Sequence, residues 1–587
     1  MEAEANQEIL QVKRAGINDV IVHVGADAQG LNSHITSDAT SSQIFTANIF
    51  ERLLYLDDDN FEYVPYLAKE RPTIEILEEG EYAGGMRIDF EIREEAQWDN
   101  GTPITAEDFI FNLKIIKCPT MYETGHLRPY YNYIDDVVVD EENPKKFSIF
   151  CNKVYILAES AAGGLDILPK YHYDPNGLLD KYTIKEMNDP ANASMMKDDE
   201  DLIAIAKEYT SEKYSREAGM IVGSGPYRFV NWQTGSRITL EKKDNWWAND
   251  LVEEEKVFAN YPDKLVYEVI VDDATTVSAI RDENLDVCRT FPSKIFVEDL
   301  QKSKKFQQKY NLYTPAFIAY SYVGLNNRNP KLADKRVRQA LTHAYDVDYV
   351  IDVFSYGLAE RTIGPFHPST KYYNHDITPY EFDLDKAKAL LKEAGWEDTD
   401  GDGVRDKVIS GRKVPLELAF KYVPGSPTTE SILLFYQKNL QEIGVKMTLE
   451  TREWTVFLDE LDKHNFEMYT GSWVTDPGLS DPYQLWHTES YNGGSNYVGF
   501  GNAETDALIE EIQVTLDEDR RNELYLKFQE ILHEEAPYIF TTSPLKKIAT
   551  HKRFENADGK DTRVGYVARA FKLDPEFGVG SKNVQPE

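Results

Sequence analysis

Three stretches predict an α/β chain, with short β-branched and aromatic runs alternating with amphipathic helical segments. "KLVYEVIV" (264–271) reads as a strand and leads into "DDATTVSAIRDENLDV", where Val277, Ile280 and Arg281 keep helical spacing. "SYVGLN" (321–326) reads as a second strand. It is followed by "DKRVRQALTHAYDVD", whose Val337, Ala340, Leu341, Ala344 and Tyr345 form one apolar stripe. The third unit is "FDLDKAKALLKEAGW": Asp383 caps a helix, Ala387, Leu390, Leu391 and Ala394 give its buried face, and Gly395 takes the left-handed C-cap. A further helix starts at Thr105 in "TAEDFIFNLKII", with Thr105 and Asp108 spaced as a capping box. The Arg336 and Arg338 pair reads as an exposed helix face with ion pairs. The polar stretch 187–215 reads as a surface insertion.

Composition narrows the function. The 587 residues suffice for several domains, and 41% hydrophobic with 12% aromatic content supports packed cores. Acidic residues number 101 against 64 basic ones, a formal net charge of −37. Such a surface repels nucleic acid and anionic headgroups over most of its area, which sets nucleic-acid binding aside. Cys118, Cys151 and Cys288 are too few and scattered for a disulfide framework. No apolar run is long enough to span a bilayer. The opening "MEAEANQEIL" has neither a basic n-region nor an apolar h-region. It reads as a cytosolic start or as a mature start left once a leader is removed.

No catalytic constellation stands out. "HEEAP" at His533 lacks the second histidine of a zincin helix, and "GSGPY" (223–227) lacks the lysine and spacing of a phosphate loop. Carboxylate pairs in so acidic a chain carry no information without geometry. The expectation is a protein that is not an enzyme. "DTDGDGVRD" places Asp398, Asp400, Asp402 and Asp406 at positions 1, 3, 5 and 9 of a calcium loop, with Gly403 at position 6. Position 12 is Ile409 rather than glutamate, and a turn with a strand follows where a second helix belongs. The expectation is an Asp/Gly-rich turn and no cofactor, with a weak structural calcium site at those aspartates as the alternative. The 36 tyrosines and 8 tryptophans, several beside turn residues, suit a cleft for a polar ligand as well as packing between lobes.

At "WDNGTPITAEDFIFNLK" (98–114) the chain resembles family 5 extracellular solute-binding proteins, the oligopeptide- and dipeptide-binding components of ABC importers. Trp98, Asn100, Gly101, Pro103, Thr105, Ala106, Asp108 and Phe109 carry the pattern. Five other blocks keep the family's order: "IFERLLYLDDDNFEYVPYLAKERP", "GSGPYRFVNWQTGSRITLEKKDNWW", "VGLNNRNPKLADKRVRQALTHAYDVD", "FDLDKAKALLKEAGWEDTDGDGVRD" and "GSWVTDPGLSDPYQLW".

The resemblance implies a two-lobed, three-domain protein of the periplasmic binding protein type that closes on a hinge. Domain I would comprise 1–50, 216–275 and 541–587, domain II 51–215, and domain III 276–540. It implies a monomer outside the cytoplasm, periplasmic or a cell-surface lipoprotein, that delivers peptides to the permease subunits of an ABC importer. A nickel chelate, an oligosaccharide or a peptide-sensing role are the alternatives. By the same resemblance, Asp476 and Trp473 hold a peptide α-ammonium, with Asp481 competing because "DPGLSDPY" departs from the family pattern. Thr470 stands where some relatives place a carboxylate-binding arginine, which favours a longer or different ligand over a short clamped peptide. Thr40, Ser41 and Ser42 would contact the peptide main chain, and Tyr322 would line the pocket from the second lobe. Trp98, Asn100, Gly101 and Pro103 read instead as a strand–turn–helix junction.

Overall fold

The structure, a computed structural model, describes residues 18–475 and 477–578. Its first lobe is built on a seven-stranded sheet. Asp19–Val24 lies at the centre, parallel to Lys264–Val269 on one side and to Val287–Cys288 on the other. Arg237–Lys242 and Tyr227–Gln233 extend one edge, and Ile548–His551 and Tyr310–Tyr313 the other. Alternation in "DVIVHV" sends Val20, Val22 and Val24 into the main core, while Ile21 packs against a second cluster on the opposite face. That double coverage is what a central strand with parallel neighbours requires.

A four-stranded antiparallel sheet packs on this lobe, in the order Thr73–Ile76, Met86–Glu91, Lys146–Cys151, Ile134–Val139. Ala106–Lys117 runs beside it. Asp108 starts that helix by accepting from the Thr105 amide at 3.1 Å, and the same carboxylate takes the Trp98 Nε1–H at 3.3 Å and the Lys170 amide at 3.0 Å. Gly101, at φ +82°, turns the chain between Trp98 and the helix. The "WDNGTPITAED" block is thus an internally bonded junction.

The second lobe carries a five-stranded sheet, ordered Lys446–Thr451, Glu417–Tyr422, Met468–Val474, Ala319–Leu325, Tyr538–Phe540. Lys335–His343, Leu384–Glu393 and Pro427–Glu442 cover one face of it, burying Val337, Leu341, Leu391 and Leu440. Asp383 caps Leu384–Glu393 by accepting from Asp385 and Lys386, and Gly395 follows at φ +81°.

The chain passes between the lobes at 314–318 and at 541–547. These passages are bonded to each other: Phe317 donates its amide to Pro544 O at 3.0 Å, and Lys546 to Pro315 O at 2.8 Å. A two-stranded ribbon is therefore the covalent joint between two separately packed cores. Residues 276–313, assigned to domain III from the sequence, lie in the first lobe. Val287–Cys288 and Tyr310–Tyr313 both pair with Ile548–His551, so the boundary sits after Tyr313.

Two other readings change. The stretch 187–215 is helical at Pro190–Met195, Glu200–Tyr209 and Lys213–Arg216, and its apolar patch, Leu202, Ile205 and Tyr209, is buried in the first-lobe core. Tyr209 also shares a 2.8 Å hydrogen bond with His34 Nδ1, so the segment braces the loop after the central strand. Arg336 does pair at the surface with Asp334, at 2.7 Å. Arg338 is instead 3% exposed and donates to the carbonyls of Leu332, Ala333 and Glu535, tying two helices together. All three cysteines are buried and free. Among the described residues no helix is long and apolar enough to cross a membrane.

Candidate functional site

A cavity of about 1060 Å³ opens where the two lobes face each other beside the ribbon. Its first-lobe wall begins in the loop after Asp19–Val24, with Ser33, His34 and Thr36, and continues along the short helix Ala39–Phe45. Asp38 caps that helix, accepting from the Thr40 and Ser41 amides at 3.1 and 3.0 Å. The capping turns Ser42, Gln43 and Phe45 toward the cavity, and Gln43 donates to the Tyr566 hydroxyl at 2.8 Å. Arg52, Tyr55, Tyr130, Tyr131 and Asp166 line the side next to the four-stranded sheet. Arg52 and Asp166 pair at 2.5 Å. His34, held between Tyr209 and the Asp166 carbonyl, has its pKa lowered by burial and is the neutral imidazole at neutral pH.

The ribbon side is chemically different. Arg289 leaves the end of Val287–Cys288, Lys546 and Lys547 lie on the second crossing, and Arg563 and Arg569 come from the segment after it. The first crossing contributes Phe317, and the second lobe Val474. Among the described residues six arginines and lysines thus line the cavity against two aspartates, Asp58 and Asp166, in a protein of net charge −37. Lys546 Nζ donates to the carbonyls of Ala316, at 2.8 Å, and Thr562. Burial, then the nearby Arg289 charge, lowers its pKa to about 7.

The residues singled out in the sequence fall in several places. Ser42 lines the cavity. Thr40 and Ser41 are buried behind it, where the Ser41 hydroxyl accepts from the Gln29 amide at 3.0 Å and the Gly30 amide at 3.3 Å. Tyr322 is buried in the second lobe, stacked on Tyr538 with centroids 4.0 Å apart, and borders a separate space of about 480 Å³ behind the ribbon. Trp473 is half-buried against the aromatic cluster of that lobe, while its neighbour Val474 reaches the cavity. Asp476 lies outside the described residues. Asp481 bridges the lobes: it accepts from the Tyr155 hydroxyl at 2.9 Å and from Gln513 Nε2 at 2.7 Å. Thr470 Oγ1 donates to the Tyr322 carbonyl at 3.2 Å.

Sequence reasoning passed over Arg289, Lys546 and Lys547. The Lys-Lys pair in "SPLKKIAT" was the one available signal, a doubled charge just before an apolar run, and nothing tied it to Arg289 more than 250 residues earlier.

In the aspartate-rich turn, Asp398, Asp400 and Asp406 bring carboxylate oxygens within 4.8 Å of one another. Asp398 accepts from the Gly401 and Gly403 amides, and Asp402 from the Val404 amide. Lys413 reaches from the adjoining hairpin to Asp400 at 2.6 Å and Asp406 at 3.1 Å. The lysine supplies from within the chain the positive charge a cation would bring, and its ammonium beside Asp400 holds that carboxyl below the usual range.

Comparison with known proteins places this architecture. The oligopeptide-binding protein AppA of Bacillus subtilis is 26% identical over 545 residues, covering 92% of this chain and 88% of its own. The dipeptide-binding protein of Escherichia coli is 23% identical over 523 residues, covering 87% of this chain and 86% of its own. The solved structure of AppA in complex with a nonapeptide superposes with a TM-score of 0.67 at 23% identity, over 95% of this chain and 99% of that one. The two-lobed fold is therefore that of the periplasmic binding proteins. Residues 62–496 match the model of the bacterial extracellular solute-binding proteins, family 5 (middle region). The chain belongs to the family 5 extracellular solute-binding proteins.

Proposed function

We propose that this protein captures peptides in the cleft between its lobes and presents them to an ABC importer outside the cytoplasmic membrane. The cavity carries the reading: at about 1060 Å³ it stands at the upper end of small-molecule sites and has room for several residues of extended chain. Its walls mix aromatic rings, hydroxyls and carbonyls, which suits a main chain whose side chains vary. Named relatives that bind oligopeptides and dipeptides support the same class. The mechanism is capture without bond breaking. A ligand that touches both lobes only when they are closed shifts the equilibrium toward closure by its differential affinity for that state. Asp476, together with Trp473, is the proposed partner of a free peptide α-ammonium, by resemblance to the family's W-x-x-D segment. A lipid anchor and a monomeric state belong to the same reading.

Thermal unfolding with pools of tripeptides to octapeptides tests it. Ligand binds only the folded chain, so a binding pool at a hundredfold excess over its Kd stabilises by about 2.7 kcal/mol and raises Tm by several degrees. A rise with a metal chelate or a sugar and with no peptide pool overturns the peptide assignment. Asp476→Asn is expected to weaken free-amine peptides far more than N-acetylated ones, measured by calorimetric titration.

A further inference from the structure

On the ribbon side of the cavity stand one buried cation, Lys546, and two half-buried ones, Arg289 and Lys547. Among the described residues Arg289, Lys546 and Lys547 make no ion pair. Arg289 donates only to the carbonyls of Arg563 and Val564, at 3.3 and 3.4 Å, and Lys546 only to those of Ala316 and Thr562. Lys547 is half-buried and has no hydrogen-bond partner among the described residues. It stands on the ribbon where the interlobe cavity meets the space behind it. Asp561, the acid whose charge acts on Lys546, accepts from the Ala316 amide at 2.7 Å and makes no ion pair with it. Other shielded cations of this protein either find carboxylates, as Arg553 does in Asp286, or fill their donors on carbonyls, as Lys145 does on Arg93, Glu94 and Ala96; among the described residues the Lys547 ammonium does neither.

Positive groups gathered on one cavity wall, one of them buried and none ion-paired among the described residues, cost folding free energy. The arrangement makes sense if an anion arrives with the ligand. A carboxylate is the anion peptides carry, and within a closed, water-poor cleft a charge-assisted pair is strong. We infer that the ribbon-side shelf of Arg289, Lys546 and Lys547 binds a carboxylate of the ligand, either a peptide C-terminus or an Asp/Glu side chain. The identity of the carboxylate's bearer rests on the peptide reading; the anion preference does not. Burial lowers the Lys547 pKa with no neighbouring charge offsetting it, as expected of a lysine whose partner is supplied from outside.

The test is calorimetric titration of the full chain with matched peptides in three forms: free acid, C-terminal amide, and amide carrying one internal Glu. Free acids, or Glu-bearing amides, are expected to bind at least tenfold tighter than neutral amides, and the difference says which carboxylate is used. Lys547→Met breaks no internal hydrogen bond, so it is expected to erase about tenfold of that preference while the unliganded Tm holds or rises. Arg289→Met is the second variant, with its unliganded Tm as the check on folding. Equal affinity for acids and neutral amides, or a preference intact in Lys547→Met, overturns the inference and leaves the peptide reading standing. If no peptide of any form binds, the peptide reading falls, and thermal shifts with citrate and glutarate decide the shelf. A rise lost in Lys547→Met supports it, and no rise with either overturns it.

Discussion

Glu51 shows how much a single burial decides. It is fully buried at the seam between the seven- and four-stranded sheets, and its two oxygens accept from the Trp246 and Trp247 indoles at 3.0 and 2.8 Å. Desolvation outweighs these hydrogen bonds and lifts its pKa from 4.5 to about 7. A carboxyl with a raised folded pKa lends its full stability below the unfolded value and loses it as pH climbs through the folded one. The stabilising share of Glu51 is therefore present below pH 4.5 and gone above about 7, a change on the order of 3 kcal/mol. In denaturant titrations from pH 5 to 8, Glu51→Gln is expected to gain on the parent steadily as pH rises. A constant gap between the two would mean that Glu51 titrates normally. Asp481 is the second residue whose surroundings outrank its motif. The sequence offers it as a ligand group, whereas its Oδ2 is engaged by Tyr155 from the first lobe and Gln513 from the second, and its Oδ1 by the Tyr483 amide.

At the scale of elements, the family signature proves to be local architecture. Asp108 is 6% exposed and serves three donors: the Thr105 amide, the Trp98 indole and the Lys170 amide. Asp108→Ala strands all three and is expected to cost about 3 kcal/mol or more by denaturant unfolding, with peptide affinity of the folded fraction unchanged. A loss below 1 kcal/mol would mean that the junction forms without it. The capping pattern at Thr105 and Asp108, the apolar stripe of Lys335–His343, and the Asp383 and Gly395 ends of Leu384–Glu393 were all legible in sequence, because each depends on neighbours within a turn or two. Arg338 and the helix Glu200–Tyr209 were not. Both look polar in sequence, yet they are buried by partners remote in the chain, the end of Glu518–Glu535 and the first-lobe core.

For the whole molecule, the two lobes meet at the ribbon and again across the cleft. Beyond the Tyr155–Asp481 bond, the Ile156 amide donates to Gln513 O at 2.9 Å, and Ile156 is buried in the aromatic core of the opposite lobe. Lys371 of the second lobe pairs with Glu62 of the first at 2.6 Å. These contacts hold the lobes together independently of any ligand. Removing the Tyr155 hydroxyl should favour opening by about 1.5 kcal/mol, the worth of a hydrogen bond to a charged acceptor. Tyr155→Phe is expected to enlarge the radius of gyration of the unliganded protein in small-angle scattering and to weaken peptide binding several-fold. An unchanged scattering profile would show that the Tyr155–Asp481 hydrogen bond does not set the lobe angle.

The sequence by itself determined the α/β class, the helices with their caps, and membership of the solute-binding family. It could do so because periodicity, capping and ordered motif blocks are properties of adjacent residues. Only the tertiary structure decided where the lobes divide, since that depends on Val287–Cys288 and Tyr310–Tyr313 pairing with a strand 235 to 263 residues later. It also decided which charges face the cavity. Arg289, Lys546 and Lys547 are unremarkable in the chain and line one cavity only because the pairing of Val287–Cys288 with Ile548–His551 brings the segments next to those strands together.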